Sequence, residues 1–466
     1  MCTAAHAQIK TFDDVVIVGR RTLKESAVTK TVIDSVKMAE SVNASFAELL
    51  SKHSSIFVKT YGQGSTATVS FRGTAASHTQ VEWNGVNINN PMLGQVDFSL
   101  IPVWFVDKTE LYHGGSSLQQ GSGALGGEVS IGSTPHWGEK LYGALMQTAG
   151  SYGTYQTFLS VGGGSEKFQA RVRYMYDQAE NDFEYLNRAV PPFETVKQTN
   201  ADYKKHGGVL DMYYNAGKNN FLSLNVWFMH ADRNLPTIMS YQGPGRTEKQ
   251  TDNDTRIVGR WNKYWGRFRS EFTTGFTTSN IDYYLANRTD LGSFVNYDSR
   301  SVIYSFYNKY NFEFNLSEKT SFKATVNGNY HAVNIFDRIT EEGYSAERTD
   351  FGLSVSAHHR FNGWLSGYAL VREDLTDGGF TPVMPSVGLE FKPLDGERFF
   401  VKFNATRNYH QPTLNDLYWL PGGNPDLRPE EGYTTDMSVE YSRTMGRFFA
   451  SAGVTGYLSW IDDWII

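Results

Sequence analysis

Apolar and polar residues alternate with a period of two through most of the chain. Within 168–176, Phe168 and Val172 lie on one face, and Arg171 and Arg173 lie on the other. The same alternation recurs in 322–330 and 399–406. A period of two places successive side chains on opposite faces of a β-strand. We therefore predict a long antiparallel series of roughly 15 strands after residue 136, joined by turns.

Two features of these segments favour a membrane barrel over a large soluble β-protein. Each apolar face runs for about ten residues, the length a tilted strand needs to cross a bilayer. Aromatic residues crowd the segment ends, where interfacial girdles form in barrels, as in 283–284, 304–307 and 460–464. Apolar runs stay well below the roughly 18 residues of a membrane helix. We expect an all-β antiparallel membrane barrel.

Residues 28–136 have a mixed pattern that predicts a small α+β domain. A helix is expected from about residue 45 to 50, capped by Asn43 or Ser45. Short strands are expected at 69–71, 80–83 and 106–112, with Asn84 and Gly85 forming a turn. Polar segments such as 178–204 and 231–252 are interpreted as long loops on one side of the barrel.

Amino-acid composition and net charge limit the fold and the kinds of partner to be expected. The chain has 466 residues, with 30 Phe, 27 Tyr, 10 Trp and 44 Gly, as expected for many strands joined by turns. Its 43 Lys plus Arg against 49 Asp plus Glu give a net charge of -6, which offers no electrostatic support for a nucleic-acid partner. The single cysteine, Cys2, excludes an intramolecular disulfide.

The first 27 residues are interpreted as two segments. Residues 1–7 contain Ala5-His6-Ala7, which fits the end of an export signal, so we interpret them as a signal-peptide remnant. Residues 8–27 form a polar leader with one β-prone run at 15–18. That run either binds another protein as an added strand or forms the first strand of the following domain.

The sequence contains no recognisable motif of an enzyme or a metal site. The 11 His residues lack ligand spacing, and no Gly-x-Ser-x-Gly motif is present, so we predict neither an enzyme nor a resident metal or cofactor. The polar stretch 251–255 is interpreted as a solvated turn, with a Ca²⁺ site as the alternative.

Four stretches of the chain resemble TonB-dependent outer-membrane receptors. Residues 14–18 look like a Ton box, and 69–73 with 82–86 look like paired strands of a plug domain. The Gly-rich block 110–129 resembles the end of such a plug, and 424–430, Asn-Pro-Asp-Leu-Arg-Pro-Glu, resembles a turn late in these barrels. Residues 28–136 would then be the plug, lying inside a transmembrane barrel formed by 137–466.

The resemblance implies roles for individual residues. Asp14, Val15, Val16, Ile17 and Val18 would bind the TonB energy-transducing protein of the periplasm. The predicted substrate contacts are Tyr61, Gln63, Asn89, Asn90, Met92 and Leu93. The predicted structural residues of the plug are Arg72, Gly73, Gly85, Gly114, Gly115, Gly126 and Gly127. Glycine suits sharp turns and close approach to the barrel wall.

The implied function is energised import of a scarce nutrient across the outer membrane of a Gram-negative bacterium. Residues 89–98 resemble cobalamin receptors, which favours cobalamin over the alternatives, a ferric siderophore or haem. A surface lipoprotein is a possible further partner. A passive pore or adhesion protein of the same fold is the alternative class. Family barrels have about 22 strands, so we expect this chain to lack part of its barrel.

Overall fold

The computed structural model describes residues 27–119, 123–237, 245–289, 292–393 and 399–465. The predicted Ton box, 14–18, and the signal-peptide remnant lie outside these ranges. Within them, no helix is both long and apolar enough to cross a membrane.

The N-terminal domain, residues 27–135, is an α+β unit. Its elements are β1 Lys30–Ile33, α1 Ser35–Glu40, α2 Phe46–His53, β2 Phe57–Thr60, β3 Ala67–Ser70, β4 Thr79–Trp83, β5 Val86–Asn87, β6 Lys108–His113 and β7 Gly127–Gly132. Short 3₁₀ turns cover Ala76–His78, Phe98–Leu100, Val103–Phe105 and Gly114–Gln119. One sheet has the order β1-β6-β7-β4-β5, and β2 pairs with β3.

Local signals explain where these elements begin and turn. Helix α2 begins after Ser45, whose hydroxyl accepts from the Glu48 amide while the Glu48 carboxylate accepts from the Ser45 amide. This reciprocal cap satisfies two amides that the helix leaves unpaired. Asn84 and Gly85 both have positive φ, 49° and 81°, which suits a tight turn between β4 and β5. The predicted helix and turn are therefore confirmed.

Among the described residues, the outer sheet is formed by 16 antiparallel strands. Its strands and their bounds are β8 Tyr142–Ala149, β9 Tyr155–Gly164, β10 Phe168–Ala179, β13 Tyr203–Gly217, β14 Asn220–Asn234, β15 Arg246–Trp265, β16 Phe268–Thr289, β17 Gly292–Ser317, β18 Thr320–Asp337, β19 Gly343–Arg360, β20 Leu365–Thr376, β21 Gly379–Phe380, β22 Met384–Phe391, β23 Phe399–His410, β24 Glu430–Met445 and β25 Phe448–Asp462. Strands β11 Glu184–Leu186 and β12 Thr195–Lys197 form a separate hairpin, and helix α3 is Leu414–Tyr418.

Burial along the outer sheet is inverted relative to a soluble protein. In β10, Val172 is 54% exposed, whereas its neighbours Arg171 and Arg173 are buried. In β20, Val371 is 52% exposed and Arg372 is buried. Apolar side chains facing outward and polar ones facing inward are the arrangement of a barrel in lipid. The period-two prediction is confirmed in both its strands and its faces.

Two of the predicted loops are wrong in extent. Strand β10 continues to Ala179 and β14 to Asn234, and β15 already begins at Arg246. Residues 251–255 therefore lie inside β15, where Asp252 is opposite both Ala231 and Ile281. Asn and Asp are depleted in strands, and that propensity suggested a turn. Pairing with two neighbouring strands outweighs the propensity here.

Consecutive strands are connected alternately at the two edges of the outer sheet along which the strands begin and end. Short connections such as 165–167, 218–219, 266–267 and 318–319 lie at one edge, the turn side. The connections 180–202, 338–342 and 411–429 lie at the opposite edge, the loop side. Among the described strands, β8 and β25 are the outermost strands of the sheet, and each pairs with a neighbour on one side only.

Candidate functional site

One side of the N-terminal domain packs on β9 to β15 through a continuous apolar cluster. Trp83 and Phe105 of the domain both meet Trp227 of β14 edge to face, with ring centroids 5.4 and 5.3 Å apart. Phe158, Met229 and Val258 of the outer sheet join the same cluster. In sequence, Trp227 lies on the polar face of its strand. Its contact with the domain explains why an aromatic residue faces inward there.

Ion pairs reinforce this side. Asp107 of the domain binds the guanidinium groups of Arg171 and Arg173, and both arginines also bind the fully buried Asp211. Burial alone would raise the pKa of Asp107, but the charges of Arg173 and Arg171 outweigh it and lower the pKa. The Asp107 carboxylate is therefore held ionised between the N-terminal domain and the outer sheet, which we call the wall.

The opposite side of the domain is tied to β23 and β24. Arg72 lies 3.5 Å from Asp436 and stacks over the Tyr457 ring. A Cβ at Gly115 would collide with the Thr406 side chain, and one at Gly114 with Arg72. Gly115 thus allows the backbone to approach the wall closely, whereas Gly114 leaves room for Arg72 of the domain itself. Gly73 and Gly85 adopt positive φ, while Gly126 and Gly127 pack on Thr74 and Phe71.

His78 joins the domain to the wall at a buried cluster that the sequence did not reveal. Its Nε2 lies 2.5 Å from Glu430 Oε2, both side chains are 1% exposed, and His410 lies beside them. The Ala75 amide donates to Nδ1 of His78, so in the neutral ring the proton is on Nε2. That nitrogen donates to Glu430 and has no free lone pair for a metal. The arrangement is a buried hydrogen-bonded contact that fixes the domain to β24.

A cavity of about 210 Å³ opens between the domain and the inner wall on the loop side. We call it the loop-side cavity. Its domain side is formed by the 85–91 turn region, and its wall side includes Tyr307, His331, Arg348 and Arg372. Arg348 and Arg372 each pair with a carboxylate, at 3.6 Å to Asp377 and 3.0 Å to Asp374. The lining is polar on both sides, which suits a ligand with several hydrogen-bonding groups.

The predicted contacts at 89–93 are only partly at this cavity. Asn89 and Asn90 line it, but Met92 is buried against Ile303 and Leu414, and Leu93 is 38% exposed elsewhere. The Asn89 side chain accepts from the Val81 amide and donates to the carbonyls of Thr79 and Gly94. Asn89 therefore shapes the turn that forms the cavity wall.

Tyr61 and Gln63 lie apart from the loop-side cavity. Gln63 lines a second cavity of about 260 Å³ between α2 and the wall, the helix-side cavity, and its amide donates to the Tyr203 hydroxyl at 3.3 Å. Tyr61 is 61% exposed. The structure thus brings Asn89 and Asn90 together at one cavity but separates them from Gln63.

A third cavity, of about 270 Å³, lies between the domain and β15 to β18 on the turn side. This turn-side cavity is lined by charged residues, among them Glu110, Arg260, Arg269, Glu271 and Lys323. Glu128 is fully buried on the same face of the domain sheet, and neither of its carboxylate oxygens has a hydrogen-bond partner among the described residues. Burial, and then the nearby charge of Glu82, raise the pKa of Glu128 well above its usual value.

Two family models together match almost the whole chain. A model of the TonB-dependent receptor plug domain matches residues 22–128, and a model of the TonB-dependent-receptor-like β-barrel matches residues 120–466. The likeness suggested by the Gly-rich block and the barrel strands is therefore found independently.

Relatives and solved structures agree on this fold. A vitamin B12 transporter BtuB of Photobacterium profundum is 26% identical over 443 residues, which is 94% of this chain and 67% of that protein. One from Vibrio vulnificus is 23% identical, over 99% of this chain and 72% of that protein. The copper transporter OprC has a TM-score of 0.75 at 13% identity, over 94% of this chain and 74% of that one. The siderophore receptor PirA of Acinetobacter baumannii has a TM-score of 0.72 at 14% identity, over 94% and 71%.

Proposed function

We propose that this chain, which belongs to the TonB-dependent receptor family, imports a cobalamin. The family transports cargo across the outer membrane and does not consist of enzymes, so transport is the premise and the cargo is the proposal. One observation carries the proposal, namely the 26% identity to a vitamin B12 transporter across 94% of the chain.

The loop-side cavity supports a large polar cargo. A corrinoid is much larger than about 210 Å³, so the cavity would receive only part of it while the loop-side connections cover the rest. This space is lined by Asn90 and by the wall residues Asn329 and Tyr307, whose side chains carry amide and hydroxyl groups. Side-chain amides and hydroxyls both donate and accept hydrogen bonds, which suits the amide groups at the edge of a corrinoid. Tyr61 and Gln63 would meet the same cargo only where it extends toward the helix-side cavity.

A ferric siderophore or haem is the second candidate. Arg348, Arg372 and His331 line the loop-side cavity, and cationic groups favour an anionic chelate. Each arginine is already paired with a carboxylate, so an anion would have to compete with Asp377 or Asp374. This competition is the physical reason that we place the iron chelate second.

Energy would reach the site through residues 14–18. We propose that this segment pairs as a strand with the TonB protein, and that pulling on it rearranges the N-terminal domain after cargo binds. Main-chain pairing needs only exposed amide and carbonyl groups, which an extended segment provides. A surface lipoprotein that covers bound cargo remains a further proposed partner.

Calorimetry on the complete protein in detergent tests the cargo. We expect cyanocobalamin to bind and a panel of ferric siderophores and haem to leave the signal at baseline. Binding of an iron chelate alone would reject cobalamin and keep the transport premise. If none of these ligands binds, the cobalamin proposal also fails.

A deletion of residues 14–18 tests the energised step. We expect cargo binding to be unchanged and uptake by cells to stop, with a deletion of five neighbouring leader residues, 20–24, as the matched control. Uptake that persists equally in both deletions would favour the passive pore and contradict energised import.

A further inference from the structure

The loop-side and turn-side cavities meet at one ion pair. Glu82, Gly85, Thr273 and Lys309 line both cavities. Lys309 Nζ lies 3.0 Å from Glu82 Oε1, and the two side chains are 16% and 7% exposed. Glu82 belongs to β4 of the domain and Lys309 to β17 of the wall. This contact therefore separates two spaces that together extend from the loop side to the turn side.

Position along the strands shows that the two cavities follow one another across the wall. Arg269 of the turn-side cavity is at the start of β16, next to the 266–267 turn. Thr376 and Thr381 of the loop-side cavity flank the opposite edge, around 377–378. Lys309 lies between these edges, in the second half of β17. The two cavities and the ion pair thus form a single polar seam beside β16 to β18.

Elsewhere the domain is held more firmly. On the β9 to β15 side it shares the apolar cluster around Trp227, and separating apolar surface from its partner costs about 25 cal/mol for each Å² exposed to water. On the β23 and β24 side it is tied by the buried His78–Glu430 contact. At the seam, cavities on both sides can supply water to Glu82 and Lys309 when they separate. Water can hydrate both charged groups as they part, which lowers the penalty of breaking a buried ion pair, so separation costs less here than across the apolar cluster.

We propose that cargo moves along the seam beside β16 to β18, and that the Glu82–Lys309 ion pair is the constriction that closes this route at rest. The proposal rests on transport by this chain but does not depend on which cargo it carries. It states that the domain parts from the wall at the seam while its apolar side stays in place.

Reducible cross-linking of cysteine pairs tests the route. In a Cys2→Ser background, the pair Glu82→Cys with Lys309→Cys would be bridged across the seam by a short bis-thiosulfonate reagent. The matched control is Asn43→Cys with Gln156→Cys, which ties the domain to β9 where the Gln156 amide donates to the Asn43 carbonyl at 3.2 Å. Both pairs join the domain to the wall, but only the first crosses the seam.

We expect the seam cross-link to lower cargo uptake at least tenfold relative to the same cysteine pair after reduction. The control cross-link should leave uptake within twofold. Loss of uptake with both cross-links would mean that the whole domain leaves the barrel. Unchanged uptake with both cross-links would show that cargo does not pass the Glu82–Lys309 pair. Either result overturns the proposal, and neither bears on cargo identity.

A second measurement needs no cargo. Ser130 lies opposite Glu82 in the domain sheet and lines the turn-side cavity. A Ser130→Cys probe in a porin-deficient strain is treated from outside with a small charged thiosulfonate. We expect labelling to rise at least fivefold when Glu82→Gln and Lys309→Gln open the constriction, and to stay unchanged with Asp182→Asn. Equal labelling in both would contradict the constriction, even if the proposed cargo were wrong.

Discussion

Trp83 of the N-terminal domain meets Trp227 of the wall edge to face, with ring centroids 5.4 Å apart, and neither side chain is exposed. The contact joins the last residue of β4 to the middle of β14. Edge-to-face aromatic pairs add about 0.5–1.5 kcal/mol beyond the area they bury. It is a central apolar contact between the two parts of the molecule.

Removing this ring should loosen the domain from the wall. We expect Trp227→Ala to lower the free energy of local opening of β4 by about 3–5 kcal/mol, because it leaves a cavity against Trp83 and Phe105. Hydrogen exchange of the β4 amides measures this energy. The neighbouring Phe228→Ala, whose side chain faces outward and is 45% exposed, is the control and should leave β4 exchange unchanged. Equal effects of the two would contradict the assigned packing.

Breaking the buried ion-pair network should be costly. Asp107→Asn leaves Arg171 and Arg173 to share Asp211, and we expect a loss of about 3–5 kcal/mol in domain stability by urea unfolding. The pKa of Asp107 lies below its ordinary 3.8, so its contribution is present above that pH and is lost as the pH falls further. Asp182→Asn, which removes an exposed pair with Lys197, should have no measurable effect. An unchanged midpoint for Asp107→Asn would refute the network.

The raised pKa of Glu128 predicts a pH dependence of folding stability opposite in sign to that of Asp107. Its pKa is raised on folding, so below the ordinary value of 4.5 the carboxyl is protonated in both states and contributes nothing. As the pH rises above 4.5, only the unfolded state ionises freely, and the folded protein loses stability. We expect Glu128→Gln to melt at a higher temperature than the wild type at pH 7 and at the same temperature at pH 4. A variant that melts lower at pH 7 would show that the charged form is stabilised.

Substitutions of Asn89 and Asn329 should distinguish a residue that stabilises the fold from one that contacts cargo. Asn89 makes three hydrogen bonds to the backbone, so Asn89→Ala should cost about 1–3 kcal/mol of stability and weaken cargo binding with it. Asn329→Ala, on the wall of the loop-side cavity, should weaken binding without shifting the unfolding midpoint. The measurements are calorimetric binding and urea unfolding of both variants. A binding defect in Asn89→Ala at full stability would reassign Asn89 as a direct contact.

The sequence by itself determined the strands and their faces. Period-two alternation is local, because each side chain's face follows from its position in one strand. Val172 and Arg173 point as predicted, and Val371 and Arg372 follow the same alternation. The cap at Ser45 and the turn at Asn84 are local for the same reason. Segment 251–255 was misread because pairing to two neighbouring strands overrode its turn-like composition.

Only the tertiary structure decided which residues meet. His78 and Glu430 are 352 residues apart in sequence, and Glu82 and Lys309 are 227 apart, yet each pair is in direct contact. Such pairs depend on how the domain sits against the curved wall, which no local pattern encodes. The same holds for Gln63 and Asn89, which the sequence assigned to one site and the structure places at different cavities. Side-chain periodicity is a property of one strand, whereas a cavity belongs to surfaces brought together by folding.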